Sequence, residues 1–161
     1  MPVTDVQTDT ENRTLTITAD FAAPVERVWQ IYADPRQLER IWGPPEYPAT
    51  FVAHDFTPGG RSSYYMTSPD GERFGGWWQF TTIDPTSSFT FDDGFADADL
   101  NPAENMPVST NRYSFSATAG GTRAVYSTTF ATADDLQKVL DMGVIEGSTG
   151  AINQIDALIS G

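Results

Sequence analysis

The chain contains no cysteine. Disulfides, thiolate metal sites and a cysteine nucleophile are thereby excluded. Basic residues are scarce: 9 Lys and Arg stand against 22 Asp and Glu, a formal charge of −13. A surface of that sign repels phosphate backbones and anionic lipid, so nucleic acids and membrane surfaces are not expected partners. Histidine occurs once, at His54. No G-x-S-x-G, phosphate-cradling glycine loop or metal-ligand spacing is present, which leaves no expected cofactor or metal and no complete catalytic set. No apolar run approaches the roughly 20 residues that span a bilayer. The opening MPVTDVQTDTENR has neither a basic nor an apolar leader region, so no secretory signal is read and a cytoplasmic location is expected.

What is present is apolar mass. Hydrophobic residues make up 39% of the 161 and aromatics 12%, enough to fill a core or line a hole in one. The length suits a single domain spanning 1–161, with the polar residues 1–12 expected to fray. RTLTITADF, Arg13 to Phe21, alternates with period two and reads as a half-buried strand. Pro24 opens one short helix, and Asp34-Pro35 caps and starts a second that stops at Gly43-Pro44-Pro45. From Pro48 to Thr132 the pattern is strands and turns, with Pro69-Asp70-Gly71 and Gly120-Gly121 as hairpin turns. Ser87 to Asp92 reads as a short strand, followed by an acidic loop from Asp93 to Pro107. Asp97-Ala98-Asp99-Leu100-Asn101 resembles the start of a calcium loop, but Pro102 replaces the required glycine, so a solvated loop, usable as a lid, is the better reading.

Thr132-Ala133-Asp134-Asp135 resembles a capping box and starts a predicted helix of about 27 residues, roughly 40 Å long. Gly143, Gly147 and Gly150 share one face of it. An interior glycine costs about 1 kcal/mol against alanine, so either the backbone approaches the sheet or space is left for something else. The expected fold is α+β: an antiparallel sheet of six to seven strands around a long C-terminal helix, with two short helices after the first strand.

Several segments in this order resemble the START-like (SRPBCC, birch-pollen-allergen-like) superfamily, and within it the activator of heat-shock protein 90 ATPase homologue family. They are APVERVWQIYADPRQLERIWGP at 23–44, HDFTPGGRSSYYMTSPDG at 54–71, GGWWQFTTIDP at 75–85, FDDGFADADLNP at 91–102, GGTR at 120–123 and MGVIEGSTGAINQIDALI at 142–159. The resemblance implies a helix-grip fold, a curved sheet gripping the terminal helix, with a cavity for a small apolar molecule such as a lipid. It also implies that the strand aromatics point inward. Trp78 and Phe80, Tyr113 and Phe115, and Tyr64 and Met66 are therefore expected on the concave side, with Phe91, Phe130 and Trp42 completing the wall. Gly147 and Gly150 would face them, and Tyr64, Tyr113, Glu146, Gln154 and His54 would supply polar groups.

Each reading has a plainer rival. For the aromatics it is a dry core, and for His54 a hydrogen-bonded structural residue. Glu146 is the one acid expected near the glycine face, where burial would raise its pKa; the rival is a solvated carboxylate at the helix margin. Trp77 must face away from Trp78, either packing on neighbouring strands or anchoring a homodimer. Three functions follow, in this order: binding of an apolar ligand; a cyclase- or hydrolase-type enzyme using Glu146 and a tyrosine; and a co-chaperone acting on a chaperone ATPase.

Overall fold

The computed structural model describes residues 2–160. It has eight strands: β1 (Val3–Asp9), β2 (Thr14–Phe21), β3 (Ala49–His54), β4 (Arg61–Thr67), β5 (Arg73–Asp84), β6 (Ser88–Ala96), β7 (Val108–Thr118) and β8 (Gly121–Phe130). They form one antiparallel sheet ordered β1-β2-β8-β7-β6-β5-β4-β3. Helices α1 (Val25–Ala33) and α2 (Pro35–Trp42) follow β2, and α3 (Ala133–Asp141), α4 (Val144–Asn153) and α5 (Ile155–Ser160) end the chain. This is the helix-grip arrangement, with eight strands in place of six or seven. The additional strand is β1, formed by residues expected to fray. A bulge between Val3 and Asp5 brings Val3 and Val6 into half-buried positions against the core, which their spacing of three conceals from a period-two reading.

β2 buries Leu15, Ile17, Ala19 and Phe21 and exposes the alternate residues more, because one face meets the helices. α1 buries Val28, Trp29, Ile31 and Tyr32 at helical spacing. α2 starts as the sequence implies: the Asp34 carboxylate accepts from the Arg36 N–H at 2.9 Å, and Pro35 occupies the first turn. The Thr132 hydroxyl likewise accepts from the Asp135 N–H at 3.0 Å to start α3.

The expected continuous C-terminal helix is instead three segments. Gly143 adopts φ +87°, a left-handed conformation that ends α3 and resets the direction of α4. A second break at Gln154 separates α4 from α5. The main core joins both early helices, the sheet and the end of α4 through α5, whereas Phe130, Leu136 and Val139 form a separate cluster under α3.

Trp77 lies on the convex side, half-buried over Gly94, with the Arg61 guanidinium carbon 5.6 Å from its ring centroid. A Cβ at Gly94 would stand 2.6 Å from the indole, so Gly94 is the recess in which this ring packs.

Candidate functional site

The concave face is built by alternation. On β6, Phe89, Phe91, Asp93 and Phe95 point the same way, because successive side chains leave a strand on opposite sides. Phe89 and Phe91 are fully buried and stack with centroids 5.5 Å apart. Trp78 lies 4.5 Å from Phe91 and 4.7 Å from Trp42, centroid to centroid. These rings form a packed floor. Above it, where α4 stands off the sheet, a cavity of about 350 Å³ remains. Its walls are Tyr64 and Met66 from β4, Asp93 and Phe95 from β6, Ser109, Asn111 and Tyr113 from β7, and Tyr126, Thr128 and Phe130 from β8. Ile41 and Trp42 of α2, Val139 of α3, and Val144, Gly147, Ser148, Ala151 and Ile152 of α4 close the other side. A Cβ built at Gly147 meets no atom within 4 Å, so the missing side chain contributes open space.

Of the residues expected to contact a ligand, Trp42, Tyr64, Met66, Tyr113, Phe130 and Gly147 line this cavity. Trp78, Phe80, Phe91 and Phe115 point inward but lie beneath it, buried in the floor and core. Glu146 is a correction: it is exposed, because the left-handed break at Gly143 turns the first turn of α4 so that this side chain meets solvent. Gly150 is another. It packs under the chain between α2 and β3, where its Cβ would lie 3.7 Å from Pro45 and 3.8 Å from Pro44. Gln154 does not reach the cavity either; its amide donates to the Gly43 carbonyl at 2.7 Å and ties the helix pair to the terminal helices.

His54 is structural. Its Nε2 lies 2.8 Å from the Tyr32 carbonyl, which can only accept, so Nε2 carries the proton and Nδ1 accepts from the Ser62 hydroxyl at 2.7 Å. Burial holds the imidazole pKa below its ordinary value. The Ser62 and His54 pair has no catalytic reach, since Ser62 is fully buried.

The acid that sequence reading misplaces is Asp93. It belongs to β6 and not to the acidic loop, which begins beyond Ala96. Its Oδ1 accepts from the Tyr64 hydroxyl at 3.3 Å, while Oδ2 takes no hydrogen bond among the described residues. Burial pushes its pKa up to about 7 against a partial offset from the Tyr64 hydrogen bond. Burial likewise raises the phenol pKa values of Tyr64, Tyr113 and Tyr126, so all three remain neutral donors. Tyr126 and Tyr32 hydroxyls pair at 2.7 Å. Asn111 is held by the Thr128 hydroxyl, which donates to its Oδ1 at 2.7 Å, and its Nδ2 donates to Ser109 Oγ at 3.1 Å. Among the described residues the buried indole N–H groups of Trp42 and Trp78 make no well-formed hydrogen bond, although both lie toward the Tyr64 hydroxyl. The cavity is thus apolar, with a single ionisable carboxyl among tyrosine hydroxyls and amide and hydroxyl groups already committed to one another.

An antiparallel sheet wrapped on C-terminal helices, with an apolar cavity between them, defines a START-like helix-grip domain. The chain belongs to the Activator of Hsp90 ATPase homolog 1-like family, whose model matches residues 22–160. The crystal structure of protein Ms6760 from Mycobacterium smegmatis is 64% identical, covers 98% of this chain and 96% of its own, and superposes with a TM-score of 0.91. A solution structure of a protein from Arthrobacter aurescens is 47% identical over 98% of this chain and 92% of its own, with a TM-score of 0.94. A Rhodobacter sphaeroides protein at 16% identity, covering 97% of each chain, still reaches 0.83, so the fold persists where most side chains differ. No curated protein matches the chain. Among the described residues, no helix is long and apolar enough to cross a membrane.

Proposed function

We propose that the protein binds a small, largely apolar molecule between its sheet and α4. The observation that carries this is the cavity of about 350 Å³ beside Gly147, within the range of small-molecule sites and walled mainly by aromatic and aliphatic side chains. Burial of apolar ligand surface would supply roughly 25 cal/mol per Å² before ordering costs. A soluble ligand carrier of this kind needs no cofactor and no catalytic group.

The test uses N-phenyl-1-naphthylamine, an apolar fluorophore that brightens when it leaves water. The wild type should bind it saturably. Gly147→Leu fills the open space and should weaken binding by at least about tenfold, a difference of about 1.4 kcal/mol. The same substitution removes a helix-interior glycine, so the melting temperature should hold or rise. Undiminished binding by a folded Gly147→Leu would place the fluorophore elsewhere and sink the reading.

One observation favours a second function. A cavity carboxyl with a pKa of about 7 is suited to proton transfer, which moves the acid–base role considered for Glu146 to Asp93. An enzyme of that kind must convert its ligand; if a molecule extracted from the protein purified from its own host is recovered unchanged after prolonged incubation with fresh protein, this second reading falls.

A further inference from the structure

We propose that the cavity selects an apolar molecule with a cationic amine head, seated against Asp93 within the ring of Trp42, Tyr64 and Tyr113. This deepens the ligand-binding reading and rests on it. Among the described residues the cavity wall contains no Lys, Arg or His, so a carboxylate or phosphate head would enter with no countercharge and would meet Asp93. Among the described residues Asp93 is the one charged residue on the wall, and its Oδ2 takes no hydrogen bond from them. Among the described residues the Tyr113 hydroxyl has no hydrogen-bond partner and, as a phenol, it can accept from an ammonium. Aromatic faces stabilise cations most when water is excluded, and Trp42 and Tyr64 meet edge to face, 83° apart, on the wall beside the carboxyl. The rest of the cavity, from Met66 to Ile152, offers apolar surface for the body of the molecule.

The titratable groups facing Asp93 are tyrosines: Tyr64 from β4, Tyr113 from β7 and, beyond them, Tyr126 from β8 and Tyr32 from α1. No charged side chain from α2, β5 or α4 faces it. An entering ammonium is therefore the natural partner of the ionised carboxyl, and amine binding should strengthen as pH rises through the Asp93 transition.

The experiment displaces bound N-phenyl-1-naphthylamine with octylamine, octanol and octanoate, three heads on one chain, between pH 6 and 8.5. At pH 8 the amine should displace at a concentration about tenfold below the alcohol, with octanoate weakest, and its advantage should shrink toward pH 6. Asp93→Asn should abolish the advantage of amine over alcohol, whereas Asp92→Asn, which removes a neighbouring carboxylate from the opposite face of β6, should retain it. An amine preference that survives Asp93→Asn is attraction to the acidic surface and overturns the proposal. So does octanoate displacing as well as octylamine. If octanol competes normally and only the amine preference is missing, this inference falls and the cavity reading stands. If the fluorophore itself does not bind, both fall.

Discussion

Replacing Asp93 with asparagine should make the protein more stable than the wild type at pH 8.5, with the advantage disappearing toward pH 4. The unfolded carboxyl titrates near 3.8 and the folded one near 7. Below 3.8 the group is neutral in both states and the fold keeps its full stability. Between the two values the unfolded chain releases its proton first, so wild-type stability falls as pH rises. Above about 7 both states are ionised and the loss is constant. Each pKa unit is about 1.4 kcal/mol, and water reaching Asp93 through the cavity screens part of the shift, so the gain at pH 8.5 should be about 2 kcal/mol. Urea unfolding of both proteins at four pH values measures it. A difference that does not change with pH would mean that Asp93 is ordinarily hydrated.

Trp78→Ala should cost 3–5 kcal/mol in round terms, a large part of the roughly 5–15 kcal/mol typical of a folded domain. The indole is fully buried on β5 and lies within ring-contact distance of Trp42, Phe51, His54, Tyr64, Phe80 and Phe91. Its loss removes the support under Trp42 and Tyr64, so fluorophore binding should fall along with stability. Trp78→Phe keeps most of the packing and deletes a buried N–H that makes no well-formed hydrogen bond, so it should cost about 1–2 kcal/mol. A Trp78→Ala variant less than about 1 kcal/mol weaker than the wild type would mean that the floor is not packed as described.

Much of this architecture is legible in the sequence because alternation and turn chemistry are local. Trp78 and Phe80, or Tyr113 and Phe115, share a face by spacing alone, and Asp34-Pro35 and Thr132 mark helix starts by side-chain chemistry that the structure reproduces. The failures come where a local defect shifts the phase. The bulge at Val3–Asp5 hides β1, and the left-handed Gly143 turns Glu146 outward. Asp93 was hidden for another reason. Its segment, DDGFADAD, reads as an acidic loop by composition, although extending the Phe89, Phe91 alternation by two residues reaches Asp93 and by four reaches Phe95. The cavity itself was not legible: whether the glycine face abuts the sheet or stands away from it depends on where Pro44, Pro45 and Gly43 hold α4, through Gly150 and Gln154.

The strand order also sets a folding problem. Six of the seven pairings join strands adjacent in the chain, and one, β2 with β8, joins Thr14–Phe21 to Thr122–Thr129. The meander from β3 to β8 can assemble by successive hairpins, whereas the β2–β8 seam must close a loop of about 100 residues before any of its hydrogen bonds form. That seam therefore belongs late on the route to the native state. In pulse-labelled hydrogen exchange during refolding, amides of β5 to β7 should gain protection before those of β2; simultaneous protection would show that the two ends of the chain meet early. The β1–β2 hairpin and the two early helices then join a sheet already in place, and the cavity acquires its Trp42 wall only at that final step.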